Sequence, residues 1–347
     1  MVQNKALVLS QVAEGVPVAG QHLVIRQSDF NLSSSPPEGG FTGRVLHASF
    51  DPYLRHRLVK LEDARDGFEP LPVGSVIPNG IIVRILRSDN QRFHANDVVV
   101  GMGSIQEYVS LGPDDANQFV PIQNPHDLDL KFFLGPLGMP GLTAYSALYE
   151  IGQPKKGETI FISAASGAVG QIVGQLALHE GLTVIGSVGS DEKLRLLTDI
   201  FKFHGGFNYR HGDILSQLKR LAPNGVDIYY DNVGGEQLEA AISCLKDWGR
   251  IVACGYASQY STPPSKQYGI RNTSMIVGKR LMWRGLSVFD EHMGGAYRAK
   301  HQEVVSQWIA EGSFKPVLSE TNGIDQAAQG LVELFEGNNV GKALLNL

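Results

Sequence analysis

The sequence predicts an α/β protein in which a doubly wound parallel sheet domain is joined to a mostly β domain. Two observations support this prediction. Between residues 158 and 254, strand-like segments recur about every 20 to 25 residues, with helical patterns between them. Before about residue 128, short strand-like segments are instead separated by Gly, Ser and Pro.

The alternating region contains strand and helix predictions in a regular order. The predicted strands are residues 158–162, 183–188, 227–230 and 250–254, and the predicted helices are 169–178, 192–203 and 236–245. In such a sheet, the ligand lies beyond the carboxyl ends of the strands. The candidate site segments are therefore 164–170, 187–193, 231–235 and 254–260, the last beginning with Cys254 and Gly255.

The segment between the first strand and its helix has the spacing of a phosphate-binding turn. It reads Ser163-Ala-Ala-Ser-Gly-Ala-Val-Gly170, which is an Ala-x-Gly-x-x-Gly pattern. Small residues let the backbone turn tightly and let a pyrophosphate approach the amides of the following helix N-terminus. A glycine pattern arises by chance in a chain with 40 Gly among 347 residues, so the flanking strand and helix are needed to support it. The predicted cofactor contacts here are Gly167, Ala168, Val169 and Gly170.

The remainder of the chain predicts the second domain. Residues 73–86 read as a strand pair around a Pro-Asn-Gly turn, followed by short strands at 97–100 and 107–110. Helical patterns at 300–311 and 325–336 and a final strand at 343–345 are expected to return to this domain. We therefore predict a β-rich domain at 1–127 and 300–347 and a nucleotide-binding domain at 128–299.

Composition excludes several classes of function. Charged residues make up 19% of the chain, and the 30 basic and 35 acidic side chains form no blocks, which argues against a nucleic-acid or membrane surface. No apolar run approaches the roughly 18 residues of a membrane span, and the N-terminus resembles no leader, so a cytoplasmic protein is expected. The only two cysteines, Cys244 and Cys254, predict neither a disulfide framework nor a metal site.

The end of the second predicted strand bears on the choice of cofactor. A site for NAD places an acid there to bind the ribose hydroxyls, whereas a site for NADP replaces it with cations or hydroxyls for the 2′-phosphate. Here the strand ends in Gly-Ser-Val-Gly-Ser at 186–190, and Lys193 follows. Asp191 could repel a phosphate, but as the expected N-cap of the next helix it can point away. A solvated Lys193 without a ligand is the alternative.

Several motifs in order resemble one known family. They are Asp-Pro-Tyr-Leu-Arg at 51–55, Leu-Gly-Met-Pro-Gly-Leu-Thr-Ala-Tyr at 137–145, Pro-Lys-Lys-Gly-Glu at 154–158, Asp-Asn-Val-Gly-Gly at 231–235 and Cys-Gly-Tyr-Ala-Ser-Gln-Tyr at 254–260. From about residue 45 onward the chain resembles the zinc-independent alkenal double-bond reductases of the medium-chain dehydrogenase/reductase superfamily. This group includes leukotriene B4 dehydrogenase/prostaglandin reductase and the plant alkenal reductases. The resemblance implies a Rossmann domain, a GroES-like domain and a homodimer.

The resemblance also implies roles for individual residues. It assigns the 2′-phosphate to Lys193 and Tyr209, and other cofactor contacts to Asn232, Asn339 and the backbone of Leu286, Ser287 and Val288. Tyr260 and Tyr53 are the candidate catalytic residues, Tyr260 as a donor to the cofactor or the substrate oxygen and Tyr53 as a substrate-facing side chain. Packing of both tyrosines in the core, and an ordinary turn at Asn232, are the alternatives.

The type of reaction follows from the missing metal ligands. The zinc-dependent members of the superfamily need three protein ligands at a catalytic metal, and this chain has no cysteine before position 244. Reduction of an activated C=C bond needs no Lewis acid, because the carbonyl spreads the charge as an enolate. We therefore expect an NADPH-dependent ene reductase acting on α,β-unsaturated aldehydes and ketones. A quinone oxidoreductase, an enoyl reductase working in trans and a non-catalytic NADPH-binding protein remain alternatives.

Overall fold

The computed structural model describes residues 1–64 and 67–347. These residues divide into two compact units, which are described separately. The first unit comprises residues 1–134 and 318–347, and the second comprises residues 135–317. The sequence placed the boundaries at 128 and 300, which differ from these. The helix Ala296–Ala310, most of which was expected in the β-rich domain, lies in the second unit.

The described residues form fifteen strands. They are β1 (Val2–Leu9), β2 (Leu23–Phe30), β3 (Phe41–Ser49), β4 (Pro78–Ser88), β5 (Val98–Ser104), β6 (Tyr108–Leu111), β7 (Phe119–Pro121), β8 (Thr159–Ile162), β9 (Thr183–Val188), β10 (Gly205–Asn208), β11 (Val226–Asp231), β12 (Leu245–Ala253), β13 (Met282–Gly285), β14 (Leu318–Asn322) and β15 (Lys342–Asn346).

The same residues form nine α-helices. They are α1 (Pro113–Ala116), α2 (Met139–Ala147), α3 (Gly170–His179), α4 (Asp191–Arg195), α5 (Ile214–Leu221), α6 (Gly235–Cys244), α7 (Ser274–Gly278), α8 (Ala296–Ala310) and α9 (Ala327–Glu336). Among the described residues, no helix combines the length and the apolar character that crossing a membrane requires.

The second unit is built on a six-stranded sheet with the order β10-β9-β8-β11-β12-β13. Every neighbouring pair in this sheet is parallel. The central strands are continuous apolar segments, as expected of strands that are covered on both faces. Phe207 and Tyr229 each stack on Phe161 within this core, at centroid distances of 5.7 and 5.0 Å. The predicted doubly wound α/β domain is therefore confirmed.

The first unit is mostly β, as predicted. Its larger sheet has the order β14-β15-β3-β4-β5-β7, with β6 also paired to β3, and β1 and β2 form a separate antiparallel pair. The buried rings of Phe93 and Phe119 each meet Phe41 edge-on at 5.5 Å. Leu331 of α9 is buried in the same core.

One local prediction was wrong, and one was right in type but differs in detail. Residues 78–80 are not a turn between two strands but the start of one strand, because Pro78, Asn79 and Gly80 pair with residues 102–104 of β5. A proline is tolerated there because it is the first residue of the strand, where its missing N–H matters least. The helix expected at 192–203 consists of α4 followed by a wider π-helical turn at Leu196–Ile200.

Candidate functional site

The strand order of the second unit brings the predicted segments to one edge of its sheet. Because all of its strands are parallel, their carboxyl ends meet at the same edge. The turns after β9, β8, β11, β12 and β13 therefore follow one another along that edge. Leu286, Ser287 and Val288 come directly after β13, so the structure places them on this edge as well.

The turn at 163–170 is tightly folded between β8 and α3. The Ala164 backbone has a positive φ of 46°, and its carbonyl accepts a 2.9 Å hydrogen bond from the amide of Gly167. A Cβ atom at Gly170 would lie 2.4 Å from the Ala164 carbonyl oxygen and 2.8 Å from the Ala165 Cα. Only glycine fits at position 170 without moving the turn, which keeps the amides at the start of α3 close to an approaching anion.

Asp231 and Asn232 join this turn to the next strand end. The buried Asp231 Oδ1 accepts hydrogen bonds from the Tyr229 hydroxyl at 2.8 Å and from the amides of Val233 and Gly234 at 3.0 and 2.8 Å. The Asn232 side-chain amide donates to the Ser163 carbonyl at 2.7 Å. Burial raises the pKa of Asp231, and these donors oppose the shift. The observed contacts of Asn232 therefore hold two turns side by side.

The third turn, after β12, carries Tyr260. The amides of Cys254 and Gly255 donate to the Asp231 carbonyl at 2.9 and 3.0 Å, which anchors this turn to the previous one. The Tyr260 hydroxyl oxygen accepts a 3.0 Å hydrogen bond from the amide of Tyr256. An oxygen that accepts one hydrogen bond is a better donor of its own proton, because hydrogen bonds in a chain polarise one another. The Tyr260 hydroxyl oxygen is thus held at the carboxyl edge by the backbone amide of Tyr256, and this hydrogen bond favours donation of the hydroxyl proton.

Cys254 contributes a thiol rather than a reactive thiolate. Burial raises its pKa to about 12, so the group is neutral at physiological pH. Both cysteines are free, Cys244 being buried and Cys254 partly buried.

Lys193 and Tyr209 surround the end of β9. The Lys193 side chain is buried, and its pKa is lowered, first by burial and then by the positive charge of Arg210. The Tyr209 hydroxyl would lie 3.1 Å from a Cβ atom at Gly189, so the ring packs against the backbone that leaves the strand. The Arg210 guanidinium lies 5.9 Å from the centre of the same ring. Two cations are thus gathered where an anion would relieve their repulsion.

The prediction that Asp191 is the N-cap was wrong. Ser190 is the N-cap of α4, because its hydroxyl accepts the hydrogen bond from the amide of Lys193 at 3.2 Å. Asp191 is the first helical residue, and its Oδ1 accepts a 2.9 Å hydrogen bond from the side-chain amide of Asn208. Sequence reasoning missed Asn208, although this residue lies in the Phe-Asn-Tyr segment beside Tyr209.

The other two predicted site residues, Tyr53 and Asn339, belong to the first unit. The Asn339 side-chain amide donates to the Gly341 carbonyl at 2.7 Å, within the turn that precedes β15. The Tyr53 hydroxyl donates to Asn79 Oδ1, and its ring is half-buried. Burial, followed by the Asp51 charge, raises the pKa of Tyr53 above its ordinary value.

A buried polar cluster, consisting of Ser49, Asp51, Asn79 and Lys342, lies beneath Tyr53. The Lys342 ammonium donates to Ser49 Oγ at 2.6 Å, to the Phe50 carbonyl at 2.7 Å and to Asp51 Oδ1 at 2.8 Å. Asp51 Oδ2 accepts from the Ser49 hydroxyl and from Asn79 Nδ2, the latter at 3.1 Å. Three acceptors match the three protons of an ammonium group.

Sequence reasoning did not find this cluster. Asp51 enters the sequence prediction only through the Asp-Pro-Tyr motif, and no role is predicted for Lys342. The one available signal is a lysine at the start of the apolar strand 342–345, since a lysine is almost never fully buried unless it is paired.

No group of three or more His, Cys, Asp or Glu side chains among residues 1–64 and 67–347 is arranged to hold a metal ion. The carboxylates described above instead accept hydrogen bonds from backbone amides, from hydroxyls, from asparagine side chains or from lysine.

Two family models match the chain. The model described as zinc-binding dehydrogenase matches residues 168–310, and the model described as N-terminal domain of oxidoreductase matches residues 5–120. The metal named in the first description has no matching ligand group in the described part of the chain.

Full-length relatives narrow the family further. The chain is 44% identical to the NADP-dependent oxidoreductase RED1 of Cochliobolus heterostrophus, covering 100% of this chain and 98% of that protein. It is 37% identical to the NADP-dependent 2-alkenal reductase of Nicotiana tabacum, covering 99% and 97%. The crystal structure of CurA from Vibrio vulnificus in complex with NADPH superposes with a TM-score of 0.87 at 30% identity, covering 99% of this chain and 98% of that one.

Proposed function

Because this chain belongs to the zinc-independent double-bond reductases of the medium-chain dehydrogenase/reductase superfamily, we propose that it reduces the C=C bond of α,β-unsaturated aldehydes and ketones. When NADPH is bound, it would supply the hydride that adds to the β-carbon. The observation that carries the proposal is the Tyr260 hydroxyl, held by a backbone amide at the sheet edge that also presents the 163–170 turn.

The residues of the second unit fit a bound dinucleotide phosphate. Position 170 accepts only glycine, and the tight turn that this glycine permits lets a pyrophosphate approach the start of α3. Lys193 and Tyr209 would hold the 2′-phosphate, and the backbone at 286–288 would receive the nicotinamide. Asn232, Cys254 and Gly255 complete the proposed contacts of this unit, and the family resemblance adds Asn339 as a further proposed cofactor contact.

Tyr260 is proposed to act on the substrate oxygen. Its hydroxyl, polarised by the amide of Tyr256, donates a hydrogen bond to the carbonyl oxygen as negative charge develops there. This charge is that of an enolate, so no metal ion is required to stabilise it. The final proton for the α-carbon comes from this hydroxyl or from water.

Tyr53 is proposed to face the substrate in a different way. Its proton is donated to Asn79 Oδ1, and the Asn79 amide group is in turn fixed by donating to Asp51 and to the Ser49 carbonyl. Tyr53 therefore presents its ring and its oxygen lone pairs to a substrate and serves to position it.

We further propose that the protein acts as a cytoplasmic homodimer. Support for the dimer comes from β13, which is the last strand of its sheet and pairs with β12 alone among the described strands. Met282 on this strand and Trp248 within the neighbouring strand β12 are exposed. An exposed apolar strand edge favours pairing with a second copy. Light scattering at micromolar concentration should give twice the chain mass.

The function is tested by NADPH consumption with three substrates of matched size: a 2-alkenal, a benzoquinone and a 2-enoyl thioester. The proposal expects turnover of the 2-alkenal. Turnover of the quinone alone or of the thioester alone would contradict it in favour of a quinone oxidoreductase or an enoyl reductase. NADPH binding with no turnover of any of the three would indicate a binding protein.

A further inference from the structure

Asp191 stands where a carboxylate would oppose a cofactor 2′-phosphate. Two residues, Gly189 and Ser190, separate it from the end of β9, and Lys193 lies two residues further along the chain. In enzymes that use NAD, an acid near the end of this strand binds the adenine ribose, and its charge disfavours a phosphate at the same place. A chain that accepts NADPH must therefore keep the Asp191 carboxylate away from that phosphate.

Asn208 is the residue that holds this carboxylate. It is the last residue of β10, is only 6% exposed, and donates from Nδ2 to Asp191 Oδ1 at 2.9 Å. Its Oδ1 accepts a 3.1 Å hydrogen bond from the amide of Arg210, so the orientation of the amide group is determined from both ends. The Asp191 carboxylate therefore meets a donor that cannot rotate away.

A second group faces the same oxygen of Asp191. His211 Nδ1 lies 3.6 Å from Oδ1, but the His211 and Asp191 side chains are 64% and 60% exposed. A contact at this exposure contributes little, because solvent screens it. The buried Asn208 is therefore the stronger restraint on Asp191.

We propose that Asn208 is a specificity-determining residue that favours NADPH over NADH by restraining the Asp191 carboxylate. This inference rests on the proposed 2′-phosphate site at Lys193 and Tyr209. Asn208 needs no contact with the cofactor itself. Asn208 acts through Asp191, because it keeps the Asp191 carboxylate turned toward β10. This carboxylate then does not oppose the attraction of the phosphate to the nearby cations Lys193 and Arg210.

Asn208 also shapes the backbone, and the test must separate the two roles. Its side chain accepts from the amide of Arg210, as in an Asx turn, and its carbonyl accepts from the amide of His211 at 3.0 Å, as in a β-turn. In Asn208→Ser, a hydroxyl can still accept from the amide of Arg210 but is too short to reach Asp191. This substitution therefore retains the turn and releases the carboxylate.

The experiment measures the dissociation constants of 2′,5′-ADP and 5′-AMP by calorimetry, which requires no turnover. Asn208→Ser should weaken 2′,5′-ADP binding about fivefold to tenfold, the scale of one lost restraint on a charged group, and should leave 5′-AMP within twofold. In the Asp191→Asn background the same change should have no effect on either ligand, since no charge remains to be restrained. Asp191→Asn alone should bind 2′,5′-ADP at least as tightly as the native chain.

Two patterns of loss in Asn208→Ser would overturn the inference. One is an equal loss for both ligands, which would make Asn208 a structural residue. The other is a loss for 2′,5′-ADP that persists in the Asp191→Asn background. If Asn208→Ser does not fold, Asp191→Asn still tests the inference. Weaker binding of 2′,5′-ADP by Asp191→Asn would contradict the proposed repulsion between the Asp191 carboxylate and the 2′-phosphate.

Lys193→Ala separates this inference from the proposed function. If Lys193→Ala loses discrimination for 2′,5′-ADP and Asn208→Ser does not, only the inference is wrong. If Lys193→Ala still discriminates fully between 2′,5′-ADP and 5′-AMP, the 2′-phosphate site lies elsewhere. The inference about Asn208 is then wrong as well.

Discussion

The carboxyl edge of the second unit and the buried cluster of the first unit organise polar groups in different ways. At the edge, backbone amides and carbonyls make most of the contacts, and small residues at 164–170 and 234–235 permit the required turns. In the cluster of Ser49, Asp51, Asn79 and Lys342, side chains make most of the contacts, and both charges are removed from water. The edge should therefore be sensitive to added volume, and the cluster should be sensitive to lost charge.

Removing the Lys342 ammonium should give the largest effect. Lys342→Ala leaves the buried Asp51 carboxylate without its cation, and breaking a buried pair in this way costs about 3–5 kcal/mol. Urea denaturation should show this loss in the free energy of unfolding. We expect the loss in the unfolding transition that includes the first unit, which contains both residues of the pair.

Lys300→Ala is the matched control for that measurement. Lys300 pairs with Glu303 at 3.0 Å, but both side chains are more than 60% exposed, so the change should stay below about 0.5 kcal/mol. A loss as small for Lys342→Ala as for Lys300→Ala would show that the buried pair contributes no more than a surface pair.

Adding a methyl group at Gly170 should break the backbone arrangement of the edge. The new Cβ atom would lie 2.4 Å from the Ala164 carbonyl oxygen, so the turn must open. We expect Gly170→Ala to weaken NADPH binding about tenfold to a hundredfold, or roughly 1.4–2.8 kcal/mol, by fluorescence titration. Gly278→Ala, with no atom within 4 Å of its new Cβ, should bind NADPH normally. Equal affinity in the two variants would argue against a pyrophosphate at the 163–170 turn.

Tyr260 combines both arrangements, since a side-chain hydroxyl is held there by a backbone amide. Tyr260→Phe should lower turnover of a small enone about tenfold, less than for a typical oxyanion donor because water can replace the hydroxyl. NADPH affinity should persist. The control is Tyr149→Phe, which removes a hydroxyl bonded to Glu180 at 2.7 Å and should leave turnover within about twofold. Full turnover in Tyr260→Phe would assign the ring to packing alone.

The same difference explains which features could be predicted from sequence. The 163–170 turn was predicted because its small residues are consecutive and lie between a strand and a helix. The cluster was missed because residues 49, 51, 79 and 342 are brought together only by the pairing of β3 with β4 and β15. A local sequence pattern does not indicate contacts between residues that are this far apart along the chain.

Two errors in the prediction have the same origin. Pro-Asn-Gly at 78–80 has the composition of a turn, yet pairing with β5 keeps it extended, and a tertiary contact overrides the local preference. At Asp191, an acid before a helix suggests an N-cap, but Ser190 performs that role and Asn208 binds the acid. The sequence indicated which segments lie at the carboxyl edge of the sheet, but not which side chains contact one another there.

The most direct test of the account follows the hydride itself. NADPH carrying deuterium at both C4 positions is incubated with the enzyme and a small enone in the presence of a metal chelator, and the product is examined by NMR. The account predicts a saturated ketone with one deuterium on the β-carbon and a solvent proton on the α-carbon, formed at the same rate as in the reaction without the chelator. An allylic alcohol with deuterium on the former carbonyl carbon, or activity lost to the chelator and restored by zinc, would contradict it.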